Sequence, residues 1–322
     1  MLNLMEIPQA PIHPNESVPR DGWKRPLVIP KAGGKPAGHT RTTTFIDCIE
    51  DKTSLIDWGK RMVLVGAANQ PALLDKARDL NPEDKGDKKK LNALAERALD
   101  VSGANDKREK GTYLHKLSEY VDAGQPLPAT ISDADMEDMM AYMVATAPLT
   151  TIAVEQFVVV NELNVGGTFD RLSGYAGPGP DGKHIEGSFI SDVKTGSIEY
   201  GALKMAAQLA VYSRGEVYDH TRFPVDTDDK KAFAAWKKRA VNAEEAAKAY
   251  SPLPPVNQDW GIIIHLPSGE GMCNLYWVDL NIGWAMANLA LTIRKARGTR
   301  GAMLPFVSYA TDEEVASSVQ SV

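Results

Sequence analysis

The stretch VEQFVVVNELNVGGTFDRLSGYAG (residues 154–177), followed by HIEGSFISDVKTG (184–196), decides how this chain folds. β-Branched and aromatic residues dominate both segments and glycines punctuate them, a pattern that predicts three strands. In GSFISDVKTGS (187–197), Asp192 and Lys194 are two apart, so both side chains leave the sheet on one face. Taken alone, such a pair is equally well a salt bridge at a sheet edge. Asp170, in VGGTFDRLSG (165–174), is expected at the end of another strand, and a hairpin of the intervening length brings it beside Asp192. Carboxylates that share a place repel, and a divalent cation is the usual resolution. A turn aspartate, or an ion pair with the adjacent Arg171, is the alternative.

Outward from these strands the texture is helical. SIEYGALKMAAQLAVYSRG (197–215) reads as an amphipathic helix capped by Ser197, with Gln208 and Tyr212 on one face. The bland account of that pair is two polar surface residues. Upstream, ANDKREKGTYLHKLSEYVDAG (104–124) is a helix ended by Gly124, on which His115 and Glu119 share a face four residues apart. Gly111, one turn before His115, leaves room for a neighbouring strand or ligand. A lone histidine on an amphipathic helix is more often structural than a ligand. SDADMEDMMAYMVATAP (132–148) opens on a capping box of Ser132 with Asp135 and stops at Pro148. A helix from Thr53, with Leu55, Ile56, Trp58 and Met62 on its apolar side, precedes a Lys/Asp-rich loop and helix over 81–100. A charged helix over 228–249, a hairpin with PSGEG (267–271) at its turn, and a helix over 281–298 complete the chain.

The economical organisation is one α/β (α+β) unit with a helical N-terminal elaboration. Residues 1–40, rich in Pro and Gly, are expected to form an irregular arm or partly disordered lead. Residues 41–150 form a helical part contributing His115, 151–300 a core with a mixed sheet flanked by helices, and 301–322 a tail.

Hydrophobic residues make up 43% and the formal net charge is −6, which argues against a protein that coats long stretches of phosphate backbone. Carboxylates that bind metal lower the net charge without repelling phosphate once loaded, so local handling of DNA stays open. Cys48 and Cys273 are too few for a disulfide framework. With no secretory signal and no apolar window of membrane-spanning length, the chain is expected to be soluble and intracellular, with no membrane partner. It carries no G-x-x-x-x-G-K-[ST] phosphate loop and no G-x-S-x-G elbow, which argues against a nucleotide-driven enzyme or a serine hydrolase.

Each signal alone is weak, but four occur in order: G-x-x-x-H (111–115), G-G-T-x-D-R (166–171), S-D-V-K-T-G-S (191–197) and Q-x-x-x-Y (208–212). Together they resemble the RecB-like nucleases of the PD-(D/E)XK superfamily, and in particular the phage branch related to CRISPR-associated exonucleases. The resemblance covers about residues 41–298. It implies a restriction-endonuclease-like core and metal-dependent DNA exonuclease activity, in phage recombination, repair or replication. His115, Asp170, Asp192 and the Val193 carbonyl would hold Mg²⁺ or Mn²⁺. Lys194 would orient or help deprotonate the attacking water and balance phosphate charge. Gln208 and Tyr212 would position the DNA strand or the metal-site side chains, with Glu119 and Glu155 in an outer shell at best.

The implied partner is linear DNA engaged at its ends, with a recombinase or single-strand-binding protein as a further one. The location would be cytoplasmic, in the host cell if phage-encoded. The rival reading is a DNA-end-binding or recombinase-partner module with a nuclease fold and weak catalysis. Many CRISPR-associated relatives carry four cysteines on an iron–sulfur cluster; two cysteines here predict none. Arg41, Lys60, Arg61, Lys230, Lys231, Lys237, Lys238 and Arg239 are candidate DNA contacts, although a solvated helix face accounts for most. Trp58 and Tyr200 are expected in core packing rather than stacked on bases.

Overall fold

The computed structural model describes residues 18–303. In chain order, β1 (Leu27–Val28), β2 (Ala37–Gly38) and β3 (Thr40–Arg41) lead into six helices. These are α1 (Thr42–Ile46), α2 (Thr53–Asn69), α3 (Ala72–Ala77), α4 (Lys85–Val101), α5 (Asp106–Asp122) and α6 (Asp133–Thr146). Three long strands follow, β4 (Thr150–Val160), β5 (Val165–Pro178) and β6 (His184–Lys194), then α7 (Ala202–Tyr212) and β7 (Glu216–Tyr218). The chain continues through α8 (Lys230–Trp236), α9 (Ala243–Ala247), β8 (Tyr250–Pro252), β9 (Trp260–His265), β10 (Asn274–Asp279) and α10 (Leu280–Arg297).

An eight-stranded sheet runs β10-β9-β6-β5-β4-β7-β8, with β3 added parallel to β5. It is mostly antiparallel; β6 and β9 pair in parallel, which makes the sheet mixed. Helices cover both faces. Leu114 and Leu117 of α5 and Met139 and Tyr142 of α6 pack with Phe189, Val193, Ile262 and Ile264 on one side. On the other, Met205 and Leu209 of α7 meet Leu172, Ile190 and Ile263, and α10 packs behind α7 through Ala287 and Ala290. Alternation along β6, with Phe189 and Val193 toward α5–α6 and Ile190 toward α7, follows from the strand period of two.

The strand, hairpin and last-helix expectations agree with this architecture, as does the Ser132 cap, whose hydroxyl accepts the Asp135 N–H at 3.2 Å. Several expectations are corrected. Residues 18–40 are irregular but not loose: Val18, Leu27, Val28 and Ile29 are buried, and the Tyr218 and Tyr250 hydroxyls bond the two polar groups of Ile29. Residues 1–17, and the tail from residue 304, lie outside the described residues.

The helix expected over 228–249 is two short helices, because the Asn242 side chain caps a new start by accepting the Glu245 N–H. Ser197 does not cap α7: its hydroxyl accepts the Glu199 N–H at 3.4 Å in the preceding loop, and the N-cap position is Gly201. Helix α7 starts at Ala202 and is buried all round from Met205 to Tyr212, so its apolar period reflects a core helix rather than an amphipathic one. Helix α2 turns Leu55, Ile56 and Trp58 outward, since it packs chiefly on α4 around Gly66 and Ala67. Tyr200 is 92% exposed, so neither aromatic sits in the core.

Helices α7 and α10 approach closely at Gly283, where an added Cβ would stand 2.1 Å from the Ala206 carbonyl oxygen. Gly283→Ala is therefore expected to destabilise the protein by about 1–3 kcal/mol through overpacking. Gly59→Ala in α2, with nothing within 4 Å, should stabilise it by roughly 0.5–1 kcal/mol. Denaturant midpoints of the two variants check both signs; an unchanged midpoint for Gly283→Ala would contradict the packing described.

Candidate metal centre

The site lies where β5 and β6 separate. Their antiparallel ladder ends at Arg171↔Ser191, so Asp170 and Asp192 face each other one residue beyond the last pair. There the ladder is replaced by a side chain: Asp170 Oδ2 accepts the Val193 N–H at 2.8 Å. Asp170 thus lies inside β5, not at its end as the glycine-rich sequence suggested. On its other side, Val154↔Arg171 and Gln156↔Phe169 bracket Glu155 and Asp170, so these two also stand across from each other. Glu155 carries a φ of +48°, a left-handed conformation that is strained for a residue with a Cβ and interrupts the β4–β5 ladder. Three carboxylates on adjacent strands therefore stand in one row across the sheet, which one-dimensional spacing does not reveal.

Helix α5 supplies the imidazole. His115 Nε2 lies 2.8 Å from Asp170 Oδ2, and Nδ1 lies 3.9 Å from Glu119 Oε1. One ligand atom each of His115, Glu119 and Glu155 falls within 4.8 Å of the others. Glu119 and Glu155, expected in an outer shell at best, are thus the carboxylates grouped with His115, and the expected ligands Asp170 and Asp192 fall outside that group. The i,i+4 spacing signals Glu119; only strand register exposes Glu155. Gly111 lets α5 come this close, because a Cβ there would meet Thr195 Oγ1 at 2.5 Å.

The remaining expected residues converge on Asp192, which is 2% exposed. Lys194 Nζ pairs with its Oδ2, as strand alternation requires. From α7, Gln208 Nε2 donates to Asp192 Oδ1 at 3.1 Å, and Tyr212 hydrogen-bonds Gln208. Gln208 and Tyr212 are both buried, so the surface-pair alternative does not hold. Val193 enters through its N–H, and its side chain belongs to the core beneath α5. Of the candidate DNA contacts, Lys60 is held by Asp57 at 2.9 Å and Lys237 lies over the Phe233 ring.

Charge is unevenly shared. Asp170 raises the His115 imidazole to about 10 despite burial. Burial alone would push Asp170 up, but His115, Lys194 and the Val193 N–H outweigh it and hold the carboxyl at about 2. Asp192 is pushed up to about 6, first by burial and then by Asp170. Burial lowers Lys194, yet the two aspartates more than offset it and its pKa is raised. Burial also raises the Tyr212 phenol, which stays protonated.

One imidazole among hard carboxylate oxygens is a donor set suited to Mg²⁺ or Mn²⁺. A buried Asp192 beside a partly buried Asp170 is a further reason for a cation to be favoured there. Cys48 and Cys273 border separate clusters, and two thiols cannot ligate a four-cysteine iron–sulfur centre. No helix among the described residues is long and apolar enough to cross a membrane.

The shifts fix a pH dependence. Mn²⁺ affinity is expected to fall as pH drops through about 6, because Asp192 then takes up a proton. At pH 8, His115 is protonated before loading, so ligation should release about one proton. Without metal the sign reverses for stability. Asp192 and His115 both have raised pKa values, so their contributions are present at low pH and lost as pH rises through about 6 and about 10. Calorimetric titration of Mn²⁺ in buffers of different ionisation heat measures the released proton; a heat independent of buffer would remove His115 from the ligand set. Compared with known proteins, the chain matches no family model and no curated protein, so the reading of this site rests on its own geometry.

Proposed function

We propose that this chain is a PD-(D/E)XK-type, RecB-like nuclease that hydrolyses DNA phosphodiester bonds with Mg²⁺ or Mn²⁺, acting from the ends of linear DNA. The observation that carries this reading is the joining of Asp170 and Asp192 across adjacent strands, with Lys194 paired to Asp192 and His115 to Asp170. A hydrolase of phosphodiesters needs a water nucleophile, neutralisation of the phosphate and support for the leaving oxygen. A bound divalent ion, held by His115, Asp170, Asp192 and the Val193 carbonyl with Glu119 and Glu155 adjoining, would supply Lewis acidity and lower the pKa of water.

The protein's own residues supply the rest. Lys194, its pKa raised, is an ammonium at neutral pH and donates to the nucleophilic water and a non-bridging phosphate oxygen. Its charge balances the phosphate, so its role is orientation and electrostatics rather than proton abstraction. Gln208 keeps Asp192 in one rotamer through its amide, and Tyr212 holds Gln208 in turn. End-dependence and a phage setting of recombination, repair or replication rest on the family resemblance of the four motifs. So does a recombinase or single-strand-binding partner.

Linear DNA labelled at either end, single- or double-stranded, should be degraded in Mg²⁺ or Mn²⁺ and spared in EDTA, with a closed circle left intact. Lys194→Ala and Asp192→Ala should each lower turnover by about 10²–10³-fold or more while the fold is kept. Absence of cleavage in either metal would overturn the catalytic reading and favour a DNA-end-binding module.

A further inference from the structure

Besides its apolar contacts and the His115–Asp170 pair, helix α5 meets the sheet strands at two further points, and each involves the residue that follows a proposed active-site residue in sequence. Thr195, after Lys194, lies against Gly111, one turn before His115. Arg171, after Asp170, reaches Asp122 at the end of α5, its Nη1 lying 2.9 Å from Asp122 Oδ1. Asp122 is seven residues after His115, two helical turns and about 10.5 Å along the axis, so the two share a face of α5. Tyr142 of α6 closes the cluster. Its hydroxyl donates to Asp122 Oδ2 at 2.8 Å and accepts from Arg171 Nη1 at 3.3 Å. Arg171 Nη2 donates to the Leu149 carbonyl at 3.5 Å.

The Arg171 side chain is 3% exposed and that of Asp122 6%. A buried ion pair of this kind is a poor source of stability, because desolvating both charges cancels most of their attraction. An apolar set of similar volume would hold α5, α6 and β5 together as well. What an ion pair adds is direction: the guanidinium accepts a carboxylate in only a few orientations.

We propose that Arg171, Asp122 and Tyr142 are positioning residues for the metal centre. They fix the register and rotation of α5, and so hold the His115 imidazole over Asp170. The inference rests on the proposed metal site. It places no atom of the three residues on the metal or the substrate.

The test compares Mn²⁺ affinity, read from the electron paramagnetic resonance signal of free Mn²⁺, with thermal stability in EDTA. Wild type, Asp122→Asn, Tyr142→Phe and Tyr218→Phe are measured. Tyr218→Phe is the control, since its hydroxyl accepts the Ile29 N–H at 3.0 Å in a separate cluster. Asp122→Asn is expected to weaken Mn²⁺ binding about 10–100-fold, as loss of a partner that orients a ligand does. Tyr142→Phe should weaken it in the same direction, and is decisive if Asp122→Asn does not fold. Tyr218→Phe should lose stability with its Mn²⁺ affinity unchanged.

Folded Tyr142→Phe with wild-type Mn²⁺ affinity, whatever its melting temperature, would reduce the cluster to a structural role and overturn the inference. Wild type that binds no Mn²⁺ would overturn both this and the metal site. Wild type that binds Mn²⁺ but cuts no DNA would overturn the proposed activity alone, and the affinities would still decide the positioning role.

Discussion

Crowding of negative charge at the parting of β5 and β6 is the constraint around which this molecule is arranged. Asp170 and Asp192 face each other beyond the last pair of their ladder, with Glu155 one strand further on. Left alone, carboxylates this close and this buried would be unfavourable by several kcal/mol. The fold answers with His115 from α5, Lys194 from the same strand as Asp192, and the Gln208 amide from α7. The compensation is unequal. Asp170 has the imidazolium and a backbone N–H and stays ionised, whereas Asp192 is the aspartate that gives way. Such a centre is poised to exchange protons for a divalent cation.

The scaffold serves that centre from both faces of the sheet. Toward α5 and α6, the apolar contacts of Leu114, Leu117, Met139 and Val193 set the distance, and the Arg171–Asp122–Tyr142 cluster sets the direction. Toward α7, burial on every side of the helix delivers Gln208 and Tyr212 without a solvent path around them. Lys24, Glu155 and Asn164 all carry a positive φ, and of these Glu155 lies in a strand interior, where the turn brings its carboxylate to the cluster. Non-glycine residues held there cost on the order of 1–3 kcal/mol and concentrate at functional sites.

Helices α2, α3 and α4 pack chiefly on one another, and α2 and α3 leave Leu55, Ile56, Leu64, Val65 and Leu74 exposed. Helical period alone told correctly that α2 exists and wrongly which side of it is buried. The reason is physical: amphipathicity is read against an assumed core, and α2 packs chiefly on α4, with α3 beside it, rather than on the sheet. The Ser197 cap failed for a related reason. A serine before an apolar run signals a helix start only if the backbone turns there, and the chain instead runs on past Lys194 to Gly201 before α7 begins.

By itself the sequence determined the strand segments, the shared face of Asp192 and Lys194, and the i,i+4 relation of His115 to Glu119. It also determined the glycine that α5 needs for close approach. All of these are local, set by the strand period of two, the helix period of 3.6 residues and the size of a Cβ. Tertiary structure alone decided that Asp170 lies inside a strand rather than at its end. It also decided that Glu155 stands across from Asp170 on the neighbouring strand, that Gln208 and Tyr212 are buried on Asp192, and that Arg171 meets Asp122 and Tyr142. Those relations depend on which strands pair, in which register, and on how helices far apart in sequence cross the sheet. A single sequence sets no such register until the whole core is packed.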